Sequence, residues 1–533
     1  MTLKLHNTLT KKTEPFVPMN DGKVSLYTCG PTVYNFLHVG NWASYIYWDI
    51  LVRTLTANGY NVERVMNITD VGHLVSDADE GEDKLEKGAA REGKTAWEVA
   101  EFYAEDFLVG VEKLGMLLPE HIVKATDFIP QQLELIRILK EKGYTYQIDD
   151  GIYFDTSKFS GYADFAGLDL EAQKAGARVA FNVEKRNPSD FAVWKFTPTG
   201  EKRDMEWETP ADLLDTTEMP LQSRSVVTRN DTLEPKLEPT PGLDSSLERS
   251  SIIEGNDRKG DQKNNTVMGF PGWHLECSAM AMSILGPTLD IHTGGIDHIP
   301  VHHTNEIAQS ESASGKTFAH YWLHNNHLKV NGTKISKSLD NGYTLQDLTE
   351  HGYGALDYRM FILQSQYNSE GNFTFENVAA AKNRLQHWRD VAALRHQTHD
   401  TLVDDSVKAS DDKAVSLLAT SQAIIEALNN NLNTPDALHI IDQAFSQFDG
   451  KNPTAIHQNG LTQVLETIDQ ILGLQLQAST PDIDDETKQL ILQRQRAREE
   501  KDWKKSDQLR DELLNRDIHI RDSSRGPIWS YIK

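Results

Sequence analysis

The first seventy residues repeat short apolar runs around one amphipathic stretch. Residues 24–29 and 62–68 are apolar runs of strand length. Residues 41–57 repeat apolar side chains at helical spacing and stop at Asn58-Gly59. A strand, a helix and a strand within about fifty residues form a βαβ unit. The pattern therefore predicts an α/β fold in which helices cover a parallel sheet.

The middle of the chain interrupts this alternation. Two stretches of helical spacing and one strand-like run occupy residues 97–108, 131–142 and 151–154. We interpret residues 98–210 as a connective insertion between two halves of one nucleotide-binding domain, which resumes at strand candidates 288–291 and 327–330. Residues 211–267 contain no aromatic residue and are rich in Ser, Thr, Pro, Asp and Asn. That composition predicts a polar, mobile insert.

After about residue 375 the pattern becomes helical. Apolar side chains recur at helical spacing over residues 376–395, 412–430, 434–448 and 461–472. This run of helices predicts a bundle. The last fifty residues begin with a basic helical stretch and end in a strand-like run at 519–521.

Length, charge and cysteine usage narrow the class of protein. A chain of 533 residues predicts three or four domains. No apolar run approaches the ~20 residues that cross a bilayer, and the first residues lack a secretory pattern, so we expect a cytoplasmic protein with no membrane contact. The net charge of −25 argues against broad attraction to nucleic acid. Residues 488–533, however, carry twelve Lys and Arg against eight Asp and Glu, which suits local contact with RNA.

Two motifs have the chemistry of a nucleotide site. Residues 29–41 read CGPTVYNFLHVGN, in which a strand ends and a helix begins at His38, Gly40 and Asn41. A helix start favours phosphate, and glycine lets a nucleotide approach the backbone. Residues 334–338 read KISKS, in which Lys334 and Lys337 can bring two ammonium groups to a triphosphate. Alone, each motif is more often an ordinary helix start or a solvated basic loop.

A third group of residues can hold a metal. The chain has two cysteines, and both lie inside motifs. Cys29 begins CGPTVYNFLHVGN, and Cys277 lies within GWHLECSAM. In HHTNE, His302 precedes Glu306 by four residues, so both side chains share one helical face. Two thiolates, an imidazole and a carboxylate form a plausible zinc set. Ordinary buried thiols and a surface His–Glu pair are the alternatives.

The order of these motifs resembles that of the class I aminoacyl-tRNA synthetases, whose HIGH and KMSKS motifs correspond to HVGN and KISKS. The further runs NITDV, PGWHLECSAM, HHTNEIAQS, LHNNHL and LNTPDAL resemble the cysteinyl-tRNA synthetase family over most of the chain. This resemblance implies one Zn²⁺ per chain on Cys29, Cys277, His302 and Glu306, and Mg²⁺ with ATP. It implies an ATP site at His38, Gly40, Asn41, Lys334 and Lys337, with His38 and the two lysines catalytic. It implies a cysteine and adenylate pocket at Thr69, Trp273, His292 and Asp297.

The same resemblance assigns roles to the domains. It implies a Rossmann-type catalytic domain at residues 1–345, a linker or stem-contact region at 346–375, a helical bundle at 376–478 and an anticodon-binding domain at 479–533. The implied anticodon residues are Arg498, Trp503, Asp507, Arg510 and Asp522. Arg and Asp can pair with base edges and Trp can stack on a base. The alternative for this tail is an amphipathic helix with solvated charges.

The sequence therefore predicts a monomeric ligase that activates L-cysteine with ATP and transfers it to tRNA(Cys). A cysteine ligase with an amino-sugar acceptor and a non-catalytic tRNA-binding paralogue are the alternatives. The chain departs from the family pattern at Gly72, His73 and Leu74, at Thr293 and at Thr304. These departures affect the pocket rim and leave every implied zinc ligand in place.

Overall fold

The computed structural model describes residues 2–72, 83–168, 184–215, 266–397, 402–403, 412–448, 456–523 and 526–532. Most of the predicted insert at 211–267 lies outside these residues, as do His73 and Leu74. No helix within the described residues is long and apolar enough to cross a bilayer.

The strands are β1 (Lys4–Asn7), β2 (Lys12–Pro15), β3 (Lys23–Thr28), β4 (Asn61–Ile68), β5 (His121–Lys124), β6 (Thr145–Ile148), β7 (Gly151–Phe154), β8 (Phe191–Phe196), β9 (Trp207–Glu208), β10 (Met268–Pro271), β11 (Leu289–Gly295), β12 (Ala319–Asn325), β13 (Leu328–Val330), β14 (Gly371–Phe373), β15 (Leu402–Val403), β16 (Ile456–His457), β17 (Ile518–Ser523) and β18 (Gly526–Tyr531).

The helices are α1 (Val39–Ala57), α2 (Lys84–Glu92), α3 (Ala96–Lys113), α4 (Ile129–Glu141), α5 (Trp273–Leu285), α6 (Thr304–Ser314), α7 (Leu345–Glu350), α8 (Ala355–Leu363), α9 (Phe375–Ala393), α10 (Asp412–Leu428), α11 (Thr434–Ser446), α12 (Gln458–Leu472), α13 (Asp485–Glu499) and α14 (Trp503–Leu514).

The central sheet is parallel, with strand order β12-β11-β3-β4-β5. Its middle strands are buried, as their apolar runs predict, and α1 and α5 pack against them. The predicted α/β class with a Rossmann-type parallel sheet is therefore confirmed. Because β3 and β11 are parallel neighbours, their carboxyl ends lie side by side at one edge of the sheet, where ligands bind in such folds.

One predicted strand lies outside the central sheet, and one strand of that sheet was not predicted. The predicted run at 327–330 forms β13, which pairs with β14 outside the central sheet. The edge of the central sheet is β12, which the sequence pattern did not indicate. In addition, β5 belongs to the central sheet although it lies within residues 98–210, so the interruption starts later than predicted.

A second, antiparallel sheet fills the connective region in the order β6-β7-β8-β10-β9. Trp194 of β8 is fully buried there, and its indole N–H donates to Thr209 Oγ1 at 2.8 Å. A side chain at Gly269 would lie 2.3 Å from that indole nitrogen, so only glycine fits. This sheet packs on α4 and α5 and carries the chain back to the central sheet.

The helical bundle is joined to the domain of the central sheet through a buried charge cluster on α1. The Asp49 carboxylate accepts from Arg53 Nε at 2.7 Å and from the Arg359 guanidinium of α8. Both guanidiniums also donate to carbonyls at the end of α12, Gln470 at 2.7 Å and Leu472 at 2.6 Å. The carbonyls that end α12 thereby gain partners, as a helix end requires.

The first strand, β1, contacts the helical bundle as well as its neighbour β2. Strand β1 pairs with β2, and Lys4 N donates to the Asn429 carbonyl at 2.8 Å. His6 N donates to Asn431 Oδ1 at 2.8 Å. The first strand therefore contacts the loop between α10 and α11.

The C-terminal unit pairs α13 and α14 with the hairpin β17–β18 around a small core. Ile491, Leu513 and Trp529 are fully buried in it. Gln397, just after α9, donates to the Trp529 carbonyl and accepts from its N–H. This contact ties the unit to the bundle.

Candidate active site

The site lies at the carboxyl edge of the central sheet. Cys29 follows β3 directly, and His292 lies in β11. Helix α5 brings Cys277 to this edge from the connective side. One π-helical turn, Ile299–His303, delivers His302 and runs into α6, which carries Glu306. The four predicted zinc ligands therefore come from four separate elements.

The predicted ligands converge. One donor atom from each of Cys29, Cys277, His302 and Glu306 lies within 4.8 Å of the other three. A zinc tetrahedron places its ligand atoms about 3.3–3.8 Å apart, so the set needs only a small contraction. All four residues are buried, and Glu306 is fully so. The residues present fit zinc in number, type and spacing.

A second set of donors overlaps the first. Cys29, His292, His303 and Glu306 also lie within 4.8 Å of one another. His292 Nε2 lies 2.8 Å from Glu306 Oε2, and His303 Nε2 lies 3.3 Å from the Cys29 sulfur. These two imidazoles therefore orient the shared carboxylate and thiol.

Charge is tightly arranged in the cluster. The hydrogen bond with Cys29 lowers the pKa of Cys277 to about 7, although burial and the Glu306 carboxylate oppose this. Burial raises the pKa of Cys29 well above its usual value. Burial also opposes charge on Glu306 and His302, but His292 and His302 together lower the carboxyl pKa, and Glu306 raises the pKa of the His302 imidazole.

Sequence reasoning missed the wider set of histidines behind these ligands. His303 Nδ1 lies 2.7 Å from His324 Nε2, whose other ring nitrogen lies 2.8 Å from Thr8 Oγ1. Burial lowers the pKa of both imidazoles well below the usual value, so both are neutral near pH 7. The paired His302-His303 was the available signal, whereas His324 becomes recognisable only through β12.

Gly294 provides the room for these rings. It pairs with His324 across β11 and β12. A side chain at Gly294 would lie 2.6 Å from both His298 and His303. The neighbouring departure, Thr293, is fully buried and its hydroxyl donates to the Tyr27 carbonyl at 3.5 Å. Thr293, which departs from the family pattern, is therefore closely packed next to Gly294.

The other departures have local roles. The Thr304 hydroxyl donates to the Ile299 carbonyl at 2.7 Å and closes the π-helical turn. A side chain at Gly72 would meet the Asp83 carboxylate at 1.9 Å, and that carboxylate pairs with Arg203. These contacts stabilise the loops around the site.

The predicted cysteine and adenylate residues surround the metal ligands in part. The Trp273 ring packs 4.5 Å from the His302 ring, measured between centroids. Thr69 is buried, and its hydroxyl donates to Glu276 Oε2 at 3.1 Å. Asp297 is separate from this core: its carboxylate lies 3.4 Å from His327 and 3.8 Å from Lys334. It therefore faces the KISKS loop.

His38 caps α1 with a defined ring orientation. Its Nδ1 accepts from Asn41 N at 3.2 Å, while Asn41 Oδ1 accepts from His38 N at 3.2 Å. Burial lowers the pKa of His38, so the ring is neutral near pH 7. Because Nδ1 is an acceptor, the proton sits on Nε2, which is left to donate.

The two nucleotide motifs touch. A side chain at Gly40 would lie 2.9 Å from Ile335 Cδ1, inside the KISKS loop. Val39 N also donates to the Tyr343 carbonyl at 2.7 Å, just after that loop. Lys334 is 72% exposed and reaches toward Asp297, and Lys337 begins the short turn that follows. The structure thus brings together motifs that are almost 300 residues apart in sequence.

The predicted anticodon residues form a cluster at the junction of α13, α14 and β17. Trp503 is 56% exposed, and Asp507 and Arg510 follow it at helical spacing on α14. Arg498 lies 5.8 Å from the Trp503 ring and 3.3 Å from Asp522. An exposed aromatic ring bordered by charged side chains is suited to a stacked base.

One residue of this cluster was missed. Arg494 is 3% exposed and holds both oxygens of Asp522, at 2.8 and 3.0 Å. The hydrogen bond from Arg494 lowers the pKa of Asp522. The signal for Arg494 was weak because it lies among several arginines of α13. Its role depends on β17 folding back over that helix.

Two protein families match this chain. Residues 15–213 and 257–383 match the family "tRNA synthetases class I (C) catalytic domain", and residues 480–529 match the "Cysteinyl-tRNA ligase anticodon binding domain". The fold is similar to that of methionyl-tRNA synthetase from Mycobacterium tuberculosis, at TM-score 0.52 and 14% identity, covering 85% of this chain and 92% of that one. The fold and the touching nucleotide motifs are those of class I aminoacyl-tRNA synthetases.

Full-length relatives narrow the family. The chain is 37% identical to "Cysteine--tRNA ligase" of Treponema denticola, covering 99% of both chains. It is also 37% identical to "Cysteine--tRNA ligase 1" of Burkholderia lata, covering 99% of this chain and 96% of that one. The chain belongs to the cysteine–tRNA ligase family of class I synthetases and is an ATP-dependent ligase. The resemblance seen in the sequence is confirmed.

Proposed function

We propose that the chain activates L-cysteine with ATP to form cysteinyl-adenylate and transfers the cysteinyl group to the terminal adenosine of tRNA(Cys). The observation that carries this proposal is the convergence of Cys29, Cys277, His302 and Glu306 at the sheet edge next to the touching HVGN and KISKS motifs. The proposed thiol-selective metal ligands and the proposed nucleotide site therefore lie at the same edge of the central sheet. No other amino acid has a side chain that suits such a set equally well.

Zinc would be held by Cys29, Cys277, His302 and Glu306. When bound, zinc supplies a soft Lewis acid that prefers the thiolate of cysteine to the hydroxyl of serine. The chain's own residues hold the proposed zinc ligands in position. His292 holds the Glu306 carboxylate, and the Trp273 ring packs against His302, so both side chains keep their orientation.

A sulfur-to-oxygen discrimination of this kind exceeds what an apolar pocket achieves. One methylene in an apolar pocket gives about 10–200-fold selectivity. A buried set with two thiolates leaves a hydroxyl poorly bound and its partners unsatisfied. The proposed enzyme therefore needs no separate editing step against serine.

Adenylate formation requires charge stabilisation rather than a protein nucleophile. The cysteine carboxylate attacks the α-phosphate and pyrophosphate leaves. The neutral His38 ring directs Nε2–H toward the phosphates from the start of α1, where backbone N–H groups are unpaired. Lys334 approaches from the opposite loop, and we propose that Lys337 of the same loop also binds the phosphates. Mg²⁺ would accompany ATP on its phosphate oxygens.

The C-terminal unit favours tRNA as the acceptor. Its match to an anticodon-binding domain and the exposed Trp503 beside Arg498 and Asp522 support an RNA surface. We propose that residues 346–375 contact the acceptor stem and that residues 479–533 read the anticodon. An amino-sugar acceptor would leave these parts without a role. The monomeric state and the cytoplasmic location stay predictions.

Cysteine-dependent exchange of pyrophosphate into ATP tests the activation step with the purified full chain. We expect exchange with cysteine and at least about 10⁴-fold less with serine. Aminoacylation of tRNA(Cys), run beside an assay with an amino-sugar acceptor, tests the second step. Exchange without tRNA charging would overturn the acceptor, and absence of exchange from zinc-loaded protein would overturn the whole proposal.

A further inference from the structure

Helix α3 exposes an apolar ridge that the ligase reaction does not use. Phe102 and Val109 of α3 are 44% and 46% exposed, and Phe36, in the loop before α1, is 45% exposed. The rings of Phe36 and Phe102 lie 5.9 Å apart. Phe102 and Val109 are seven residues apart, so they point within about 20° of each other on the helix. Isolated exposed side chains are ordinary, but three of them grouped beside one cavity mark an interaction surface.

A cavity of about 830 Å³ opens beside this ridge. Phe36 and Val109 form its rim, and Trp42, Leu345 and Leu356 contribute apolar walls. The volume exceeds that of any single amino-acid side chain and lies in the range of ligand pockets. Pockets of this kind receive the anchor side chains that dominate protein interfaces.

Carboxylates border the ridge. Glu98, Glu101, Glu105 and Glu112 occupy a stripe about 60° wide on α3, immediately beside Val109 and Phe102. Glu105 and Glu112 are exposed and form no ion pair with any residue in the described part of the chain. On the other side of the ridge, Asp106 lines the cavity, where burial raises its pKa.

Nearby cations offset this charge only in part. Lys94 lies over the Phe102 ring at 4.9 Å and pairs with Glu92. Lys113, at the end of α3 itself, and Arg389 of α9 also line the cavity. Glu98 accepts from Thr95 N at the start of α3, and Glu101 pairs with Lys124. The stripe nevertheless keeps an excess of negative charge along the whole ridge.

We propose that this surface, formed by Phe36, Phe102, Val109 and the four glutamates of α3, binds a basic amphipathic helix of a partner protein. One apolar side chain of that helix enters the cavity, its apolar face covers the ridge, and its Lys or Arg side chains pair with the glutamate stripe. The cavity shares Leu356 with the proposed stem-contact region 346–375, but RNA on the ridge itself is disfavoured because its phosphates would face the four glutamates. A second copy is disfavoured because a two-fold contact would bring two acidic stripes together.

A synthetic peptide provides the probe. We use a fluorescently labelled amphipathic helix of about 18 residues, with lysines on one face and leucines and one tryptophan on the other. Anisotropy titration against the full chain is expected to show saturable one-to-one binding. The Phe102→Ser/Val109→Ser variant is expected to weaken it at least about tenfold.

Charge reversal supplies the matched comparison. Glu105→Lys/Glu112→Lys is expected to weaken the peptide about tenfold or more, because both side chains belong to the stripe. Glu376→Lys/Glu466→Lys changes the net charge equally on other helices and is expected to leave binding within about twofold. Equal losses in the two pairs would show general attraction to an acidic protein and would overturn the proposal.

The variants also separate docking from folding and catalysis. Each altered side chain is exposed, so the unfolding midpoint and cysteine-dependent pyrophosphate exchange are expected to match those of the unaltered chain. Full peptide affinity in Phe102→Ser/Val109→Ser would overturn the ridge as the binding surface. Concentration-dependent self-association that these same variants abolish would replace the partner helix with a second copy.

Discussion

At the scale of single residues, Glu306 connects two possible donor sets. Both sets contain Cys29 and Glu306, and they differ in whether Cys277 and His302 or His292 and His303 complete them. The first has two sulfur donors, which suit zinc better than one. The two remaining imidazoles therefore orient the ligands of the first set rather than compete with them.

Replacing Cys277 separates metal-dependent selection from nucleotide binding. In Cys277→Ser the hydroxyl stays protonated near neutral pH and is a poor zinc ligand. We expect zinc content to fall and kcat/KM for cysteine in pyrophosphate exchange to drop at least about 100-fold, with ATP affinity within about twofold. Metal analysis and equilibrium ATP binding check this, with Ser283→Ala on the same helix as control. A parallel loss of ATP binding would indicate a structural zinc instead.

Arg494 is expected to act on tRNA through Asp522. Arg494→Met leaves that carboxylate without its bidentate partner, so we expect KM for tRNA(Cys) to rise about tenfold with pyrophosphate exchange unchanged. Arg496→Met on the same helix removes an exposed arginine and serves as the control. Steady-state aminoacylation measures both. An identical effect of the two variants would rule out a specific positioning role for Arg494.

At the scale of elements, the start of α1 and the KISKS loop depend on one close contact. Gly40→Ala places a methyl group 2.9 Å from Ile335 Cδ1 and 3.1 Å from His38 Cε1, so the Ile335 side chain and the His38 ring must shift. We expect KM for ATP to rise about tenfold in pyrophosphate exchange, because misplaced phosphate-binding groups lose charge stabilisation. Adding Ile335→Val, which removes that Cδ1 atom, should restore part of the loss.

Gly342→Ala is the control for this contact. Its new methyl group would meet His38 and Ile335 at 3.6 Å, an ordinary packing distance. We expect a change below about twofold in KM for ATP. A similar rise in KM for ATP in both glycine variants would show that the loop tolerates no substitution. The contact between Gly40 and Ile335 would then not explain the effect.

The joint between α1, α8 and α12 is expected to contribute strongly to stability. Asp49→Asn leaves the buried guanidiniums of Arg53 and Arg359 without their counter-ion, which costs about 3–5 kcal/mol of unfolding free energy. The exposed pair of Lys329 with Glu370 offers a contrast, and Glu370→Gln should cost about 0–1 kcal/mol. Urea unfolding of the two variants measures the difference.

The same joint predicts a pH dependence. Burial alone would raise the pKa of Asp49, but Arg359 and Arg53 outweigh it and hold the pKa below the ordinary 3.8. A carboxyl whose folded pKa is depressed stabilises the protein above its unfolded pKa and loses that effect as pH falls through the folded value. The free-energy difference between the unaltered chain and Asp49→Asn should therefore be constant from neutral pH to about 4 and shrink below it. A difference that already shrinks near pH 6 would contradict this assignment.

The elements also show what sequence pattern can and cannot predict. The strands β3 and β4 and helix α1 follow from local periodicity, because each buries a continuous apolar run. Strand β12 carries His320, His324 and Asn325 within its seven residues, so its burial arises from its neighbours rather than its composition. Strand β5 is four residues long and only half-buried. Both need their pairing partners to be recognised.

Some residues of the site could be predicted from the sequence and others could not. The ligand residues could be predicted because two cysteines in a chain of 533 residues both fall in motifs, and His302 and Glu306 are spaced for one helical face. Tyr27 and His324 could not, because only the sheet brings them beside the ligands. Arg494 could not be distinguished from its neighbours until β17 placed Asp522 against it.

At the scale of the whole molecule, charge is segregated. The chain carries −25 overall, whereas residues 488–533 have an excess of four positive charges. We expect KM for tRNA(Cys) to rise several-fold between about 50 and 200 mM salt, since phosphate contacts release counter-ions. Pyrophosphate exchange should change much less over the same range. Equal salt sensitivity of both reactions would place the dominant salt effect at the nucleotide site.

The anchoring of β1 has a consequence for biosynthesis. Its contacts to Asn429 and Asn431 link the first strand to residues made more than 400 positions later. On the ribosome, at about 5–20 residues per second, this strand would wait on the order of tens of seconds for its partners. Thr8, which lies one residue beyond β1 and contacts His324 in the layer behind Cys29, reaches its final position with it. Completion of the metal-binding region is thereby coupled to synthesis of the bundle, so a chain released early would have its catalytic motifs but an unfinished site.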